Sequence, residues 1–219
     1  MIITVGGIKG GSGKTTVAVS LAVLLSNYHK VLLVDADKQA TATDFATLRA
    51  DTLGNSGFTA ITLADKQVRT EVLKLAPQYD YVVIDTGGRD TTSQRAALTV
   101  CDVYLVPFAP KSFDIWTLEQ VGKLIEETSI VNSDRQDYAI LNKTDNNEND
   151  SQEAREFLEE GGFLKVFKSY LRERKAFSNG AAEGLAVTEM KRKDYKAITE
   201  LQNLFNEITS LKIKREEVA

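Results

Sequence analysis

The sequence predicts an α/β fold: a mostly parallel, twisted sheet with helices on both faces. Three observations predict it. Short, almost wholly apolar runs recur at Ile2 to Val5, Val31 to Asp35 and Phe58 to Thr62, and in stretches ending at Asp85, Pro107 and Lys143. Strands without polar alternation are buried on both faces, as parallel strands under two helical layers are. Between them, Thr15 to Leu25 and Ile115 to Ile125 carry helical spacing, with Ile115, Leu118, Val121 and Ile125 on one face. The 219 residues contain no repeat, no low-complexity linker and only three prolines, so residues 1–219 are expected to form a single domain. Near the end, Ile198, Leu201, Leu204, Phe205, Ile208 and Leu211 form an apolar stripe, followed by Lys212, Lys214 and Arg215. The face opposite that stripe carries Glu200, Gln202, Asn203, Asn206 and Glu207 in place of the basic residues of a membrane-surface helix, so it is read as core-docking.

Composition excludes several classes of function. With 42% hydrophobic and 26% charged residues the chain can bury an ample core. Apolar runs such as Val31 to Val34 fall far short of the roughly 20 residues that a membrane span needs. No signal-peptide pattern opens the sequence, and a cytoplasmic protein with no membrane partner is expected. One cysteine, Cys101, and one histidine, His29, exclude an internal disulfide, a multi-cysteine metal or iron-sulfur site and a histidine cage within one chain. A net charge of −4 argues against a globally basic nucleic-acid binder, so any nucleic-acid contact must be local. Charge is uneven: Asp145 to Glu160 holds seven acids against Arg155, and Lys165 to Lys196 holds nine bases against four acids.

The stretch Gly6 to Thr16, GGIKGGSGKTT, follows a strand run and opens a helical one. That context makes it a phosphate-binding loop. Gly10, Gly11 and Gly13 free the backbone to turn its amides toward a polyanion. Lys14 is placed for β- and γ-phosphates, Thr15 for Mg²⁺, and the helix beginning there adds its positive end. Asp85 ends an apolar strand, where an acid orients a metal shell. Asp35 and Asp37, at spacing two, are expected to point the same way, one to the metal and one to an attacking water. Lys9, placed before the glycines of a loop already supplied with Lys14, is surplus to a simple phosphate loop.

Lys9 to Thr16 reads K-G-G-S-G-K-T-T and resembles the deviant Walker A box of the ParA/MinD family of ATPases. With "VDADKQA" and "VVIDTGG" in family order, and later stretches similar to small plasmid-type ParA partition proteins of the ParF kind, the resemblance covers nearly the whole chain. It implies a P-loop NTPase fold and an ATP-hydrolysing activity, with ATP and Mg²⁺ as cofactors. Gly10, Gly11, Ser12, Gly13, Lys14, Thr15 and Thr16 would hold the nucleotide, and Thr15, Asp35 and Asp85 the metal. It implies that Asp37 positions the hydrolytic water, that Asn142 reads the adenine edge, and that Lys9 crosses to the partner's nucleotide in an ATP-dependent sandwich homodimer. Lys38 departs from the family pattern, which has proline there; Gln39 is retained. The change frees a backbone φ and adds a charge beside the hydrolytic aspartate.

The same resemblance implies ATP-dependent, non-specific DNA binding by bases of the C-terminal third, with Arg172, Arg174, Lys175, Lys191, Arg192 and Lys193 as candidates and a nucleoid-associated location. It further implies release by a cargo-bound adaptor, ParB-like or equivalent. Plasmid or chromosomal DNA is the first expectation for cargo, and a protein body such as a carboxysome or chemoreceptor cluster is the alternative. Rival readings are a MinD-like membrane ATPase and a dethiobiotin-synthetase-like ligase, against which Lys9 and the basic segment argue.

Overall fold

The computed structural model describes residues 1–110, 115–145 and 147–213. Seven strands, β1 (Ile2–Val5), β2 (Val31–Asp35), β3 (Thr59–Thr62), β4 (Tyr81–Asp85), β5 (Val103–Phe108), β6 (Gln136–Thr144) and β7 (Lys165–Arg172), make one sheet in the order β3-β2-β4-β1-β5-β6-β7. Every neighbouring pair is parallel. Parallel strands cannot be joined by tight turns, so the chain crosses over through helices: α1 (Lys14–Ser26), α2 (Thr41–Leu53), α3 (Gln67–Leu75), α4 (Thr92–Leu98), α5 (Ile115–Ser129), α6 (Glu148–Glu160), α7 (Lys175–Ala182) and α8 (Tyr195–Thr209). The parallel α/β architecture expected from the sequence is the one observed.

Alternate strand residues feed two cores. Ile3, Val5, Leu33, Val83 and Leu105 face α1, α2 and α8. Leu32, Val34, Val82, Ile84, Tyr104 and Val106 face α3, α4, α5 and α6. Helix α1 is apolar nearly all round, with ten of its thirteen residues buried between sheet and neighbours. In α8, Leu201, Leu204 and Ile208 are buried, and Ile198, Phe205 and Leu211 pack against the same core, so the C-terminal stripe docks as expected. Lys214 and Arg215, which follow it, lie outside the described residues.

Read from sequence, Lys165 to Lys196 is only a basic segment; its first eight residues form β7, the edge of the sheet. An edge strand exposes unpaired backbone groups, and α8 covers them. The Glu207 carboxylate accepts the N–H of Lys168 (2.9 Å), the N–H of Ser169 (2.8 Å) and the Ser169 hydroxyl. Glu200 accepts the N–H of Arg172 (3.1 Å) and the guanidinium of Arg174 (2.6 Å).

A second ionic clasp ties the front of the chain to its end. Arg49 of α2, 5% exposed, makes a bidentate pair with Glu189 at 2.6 Å on both arms and also donates to the carbonyls of Gly184 (3.1 Å) and Ser56 (2.7 Å). Gly184, at φ +68°, lies so close that a Cβ would stand 2.6 Å from the Arg49 backbone nitrogen. Removing one partner of a buried pair strands the other. Arg49→Met is therefore expected to lower unfolding free energy by about 3 kcal/mol in urea denaturation; a loss under about 1 kcal/mol would show that the clasp is dispensable.

Candidate functional site

Strand register sets the site. Val5 pairs with Asp85 and Asp85 with Asp35, so the carboxyl ends of β1, β4 and β2 stand side by side. The loops that leave them frame an open cleft of about 920 Å³ lined by the phosphate loop, by Asp37 to Gln39 and by Thr86 to Ser93. Clefts at the carboxyl edge of a parallel sheet are where ligands bind in open α/β folds.

The phosphate loop turns at Gly11 (φ +76°) and Gly13 (φ +86°). A Cβ on Gly13 would stand 2.4 Å from the Asn142 amide nitrogen, so glycine is required there by both backbone and space. Gly10 meets nothing within 4 Å. Lys14 is buried, and its ammonium donates to the Lys9 carbonyl at 2.7 Å. Burial pushes the Lys14 ammonium below its usual range, with Asp85 and Asp37 partly offsetting that. Thr15 and Thr16 are half-buried on the first turn of α1, and Lys9 is exposed on the loop.

The three acids differ. Asp35 is buried at the end of β2, and its carboxylate accepts the N–H of Asp37 (3.1 Å) and of Thr43 (2.8 Å), capping the start of α2. Because β2 ends at Asp35, Asp37 lies in the following turn, half-buried, accepting from the Gln39 N–H at 3.2 Å; the two acids are not the regular strand pair that spacing alone suggests. Asp85 is fully buried, and neither of its oxygens has a hydrogen-bond partner. Burial pushes its carboxyl up to about 7; the Thr15 hydroxyl, outside hydrogen-bonding geometry, and Lys14 pull against that, and Asp35 and Asp37 add to it. An orphaned buried carboxylate beside a phosphate loop fits a hard cation. No group of three acids, histidines or cysteines among the described residues forms a metal cage.

The β4–α4 loop is pressed against both sides of the cleft. A Cβ on Gly87 would lie 3.3 Å from the Asp37 carboxylate, and one on Gly88 would lie 3.0 Å from the Gly10 Cα and 3.2 Å from the Lys14 ammonium. Thr86, unremarked in the sequence, anchors this loop: its hydroxyl bonds the Val5 carbonyl and Gln94, and Gln94 reaches the Tyr104 hydroxyl.

The remaining sequence candidates divide. Asn142, 6% exposed, donates to the Ser12 carbonyl at 2.6 Å and borders a pocket of about 270 Å³ with Gly13, Thr16, Arg172, Arg174 and Lys175. Three of the six basic candidates thus lie beside the phosphate loop. Arg174 is half-buried and paired with Glu200, and Arg172 lies over the Tyr170 ring at 5.7 Å. Lys191, Arg192 and Lys193 are exposed on the loop before α8, where Lys193 donates to the Thr188 carbonyl at 2.5 Å. Lys143, unassigned in the sequence, donates to the Gly11 carbonyl at 2.8 Å. A lysine directly after Asn142 at a strand end was the only sequence signal of it.

The CobQ/CobB/MinD/ParA nucleotide binding domain matches residues 3–187, which include the phosphate loop, all three acids and Asn142 and end before Lys191. The chain is 27% identical to maintenance of carboxysome distribution protein A of Halothiobacillus neapolitanus, over 94% of this chain and 95% of that protein. It is 30% identical to the protein of the same name from Gloeobacter kilaueensis, over 88% and 89%. Its fold is shared with the ATP complex of a Cyanothece McdA variant, at TM-score 0.77, 19% identity and 98% coverage of both chains.

Gly13 carries both a left-handed backbone and a close approach, and Gly10 carries neither. Gly13→Ala is expected to lose about 1–3 kcal/mol of stability in thermal unfolding, and Gly10→Ala to stay within about 0.5 kcal/mol of the parent. Equal losses would show that neither the left-handed backbone at Gly13 nor the close approach of Asn142 constrains the loop.

Proposed function

We propose that this chain, which belongs to the CobQ/CobB/MinD/ParA nucleotide binding family, is an ATP-hydrolysing positioning protein that forms an ATP-dependent homodimer, tracks DNA without reading sequence, and is released when a cargo-bound adaptor stimulates hydrolysis. The observation that carries the nucleotide half is the orphaned Asp85 carboxylate facing a glycine-rich loop with a buried lysine. Loop amides and Lys14 bind and orient the phosphates. Thr15, Asp35 and Asp85 are the residues to hold Mg²⁺, which when bound neutralises charge on the phosphate oxygens. Asp37, nearer the open cleft than Asp35, orients the attacking water, with Gly87 keeping space beside it. Lys9 is exposed where a second subunit can meet it, and its contact with a partner's phosphates would make nucleotide the link between subunits.

The DNA half rests on charge. Arg174 is spent on Glu200, so Lys191, Arg192 and Lys193, exposed together on one loop, are the stronger candidates for phosphate contacts, followed by Lys175 and Arg172. For cargo, DNA partition was the first expectation from sequence; the Halothiobacillus and Gloeobacter relatives are named for carboxysome distribution and favour a protein body, while two other relatives, more partially matched, are named ParA.

Anisotropy of a random-sequence duplex, read with phosphate release, tests both halves. The protein is expected to bind with Mg-ATP and not with Mg-ADP, weakening with salt at a log-log slope of about −3 or steeper. Asp37→Ala should bind DNA with ATP but turn over at least about 100-fold more slowly. Nucleotide-independent DNA binding, or rapid turnover by the variant, would refute the cycle.

A further inference from the structure

We propose that Lys143 is a positioning residue of the phosphate loop, its ammonium holding the Gly11 carbonyl outward so that the loop amides stay turned into the cleft. The proposal rests on the nucleotide reading of that cleft.

Every peptide unit carries a donor and an acceptor. A loop that aims its N–H groups at an anion must aim its carbonyls away and find partners for them there. The Gly13 carbonyl is taken by the Val17 N–H at 3.0 Å, as the first bond of α1. The Lys9 carbonyl receives Lys14 at 2.7 Å. Of the three carbonyls between, two are met from one neighbouring strand, Ser12 by Asn142 at 2.6 Å and Gly11 by Lys143 at 2.8 Å.

Two successive residues of a regular strand cannot do this, because their side chains point to opposite faces. Strand β6 solves it with an irregularity. Its register on β7 shifts between Asn142, opposite Leu171, and Thr144, opposite Arg172, and Lys143 between them takes a left-handed φ of +54°. A bulge of this kind re-aims a side chain. Left-handed backbone is disfavoured for a long side chain and persists where its surroundings demand it. Lys143 also lines both the phosphate cleft and the pocket beside Asn142, so its charge sits at their junction.

The test is equilibrium binding of mant-ADP and mant-ATP to the full chain, with thermal unfolding in parallel, for Lys143→Met, Lys143→Gly and Lys143→Arg. Loss of one hydrogen bond from a charged donor predicts that the Met and Gly variants bind both nucleotides about fivefold more weakly. Lys143→Arg, keeping the charge, is expected within about twofold of the parent. The unfolding temperature of Lys143→Met should match the parent, and that of Lys143→Gly, relieved of the left-handed cost, should not fall below it. Met and Gly variants that bind like the parent would overturn the proposal, as would an Arg variant as weak as Met. A Met variant that loses affinity and unfolding temperature together would do the same, since it would mark a role confined to the fold. A parent chain that binds neither nucleotide would overturn the nucleotide reading itself, and this proposal with it.

Discussion

The buried carboxylate of Asp85 is the constraint around which the rest of the structure is arranged. It ends the strand between β1 and β2, has no hydrogen-bond partner, and is held at a pKa of about 7 mainly by burial. A charge so placed costs folding free energy unless a cation meets it. The surroundings keep the charge and its approach open. Lys14 faces it from the phosphate loop, Asp35 and Asp37 crowd the same edge, and Gly87 and Gly88 bring the β4–α4 loop within contact of both walls. The fold accepts a local instability where a ligand can offset it.

The site is also held by contacts that reach it from both flanks. Asp35 caps α2 through Thr43, α2 carries Arg49, and Arg49 fastens Glu189 two residues before the basic loop at Lys191. On the other flank, β6 reaches the phosphate loop with Asn142, and α8 seals the edge strand with Glu200 and Glu207. Elements distant in sequence are therefore fixed with respect to one cleft. A rigid frame of this kind is what pre-organised phosphate recognition needs.

Much of this was legible in the sequence, for physical reasons. Strands buried on both faces, such as Val31 to Asp35, leave an uninterrupted apolar signature, and glycines at Gly11 and Gly13 declare the turn that needs them. The acids at strand ends were visible because a charged residue closing an apolar run has few other uses. β7 was hidden because an edge strand alternates, and its lysines and arginines read as surface charge. That Arg174 is consumed by Glu200, and that Asp35 caps a helix while Asp37 sits in a turn, depends on contacts between distant segments or on where a strand stops. Lys143 left only its place after Asn142 as a signal, because its role requires a bulge and the residue type gives no sign of a left-handed backbone.

The most direct measurement is calorimetric titration of ATP into the chain with and without magnesium, for the parent and for Asp85→Asn. Because an orphaned carboxylate gains a cation only when metal accompanies the nucleotide, magnesium should tighten ATP binding by at least about tenfold in the parent. In Asp85→Asn that dependence should largely vanish. ATP affinity in the parent that ignores magnesium, or a magnesium effect that survives loss of the Asp85 charge, would contradict the role given to this buried carboxylate.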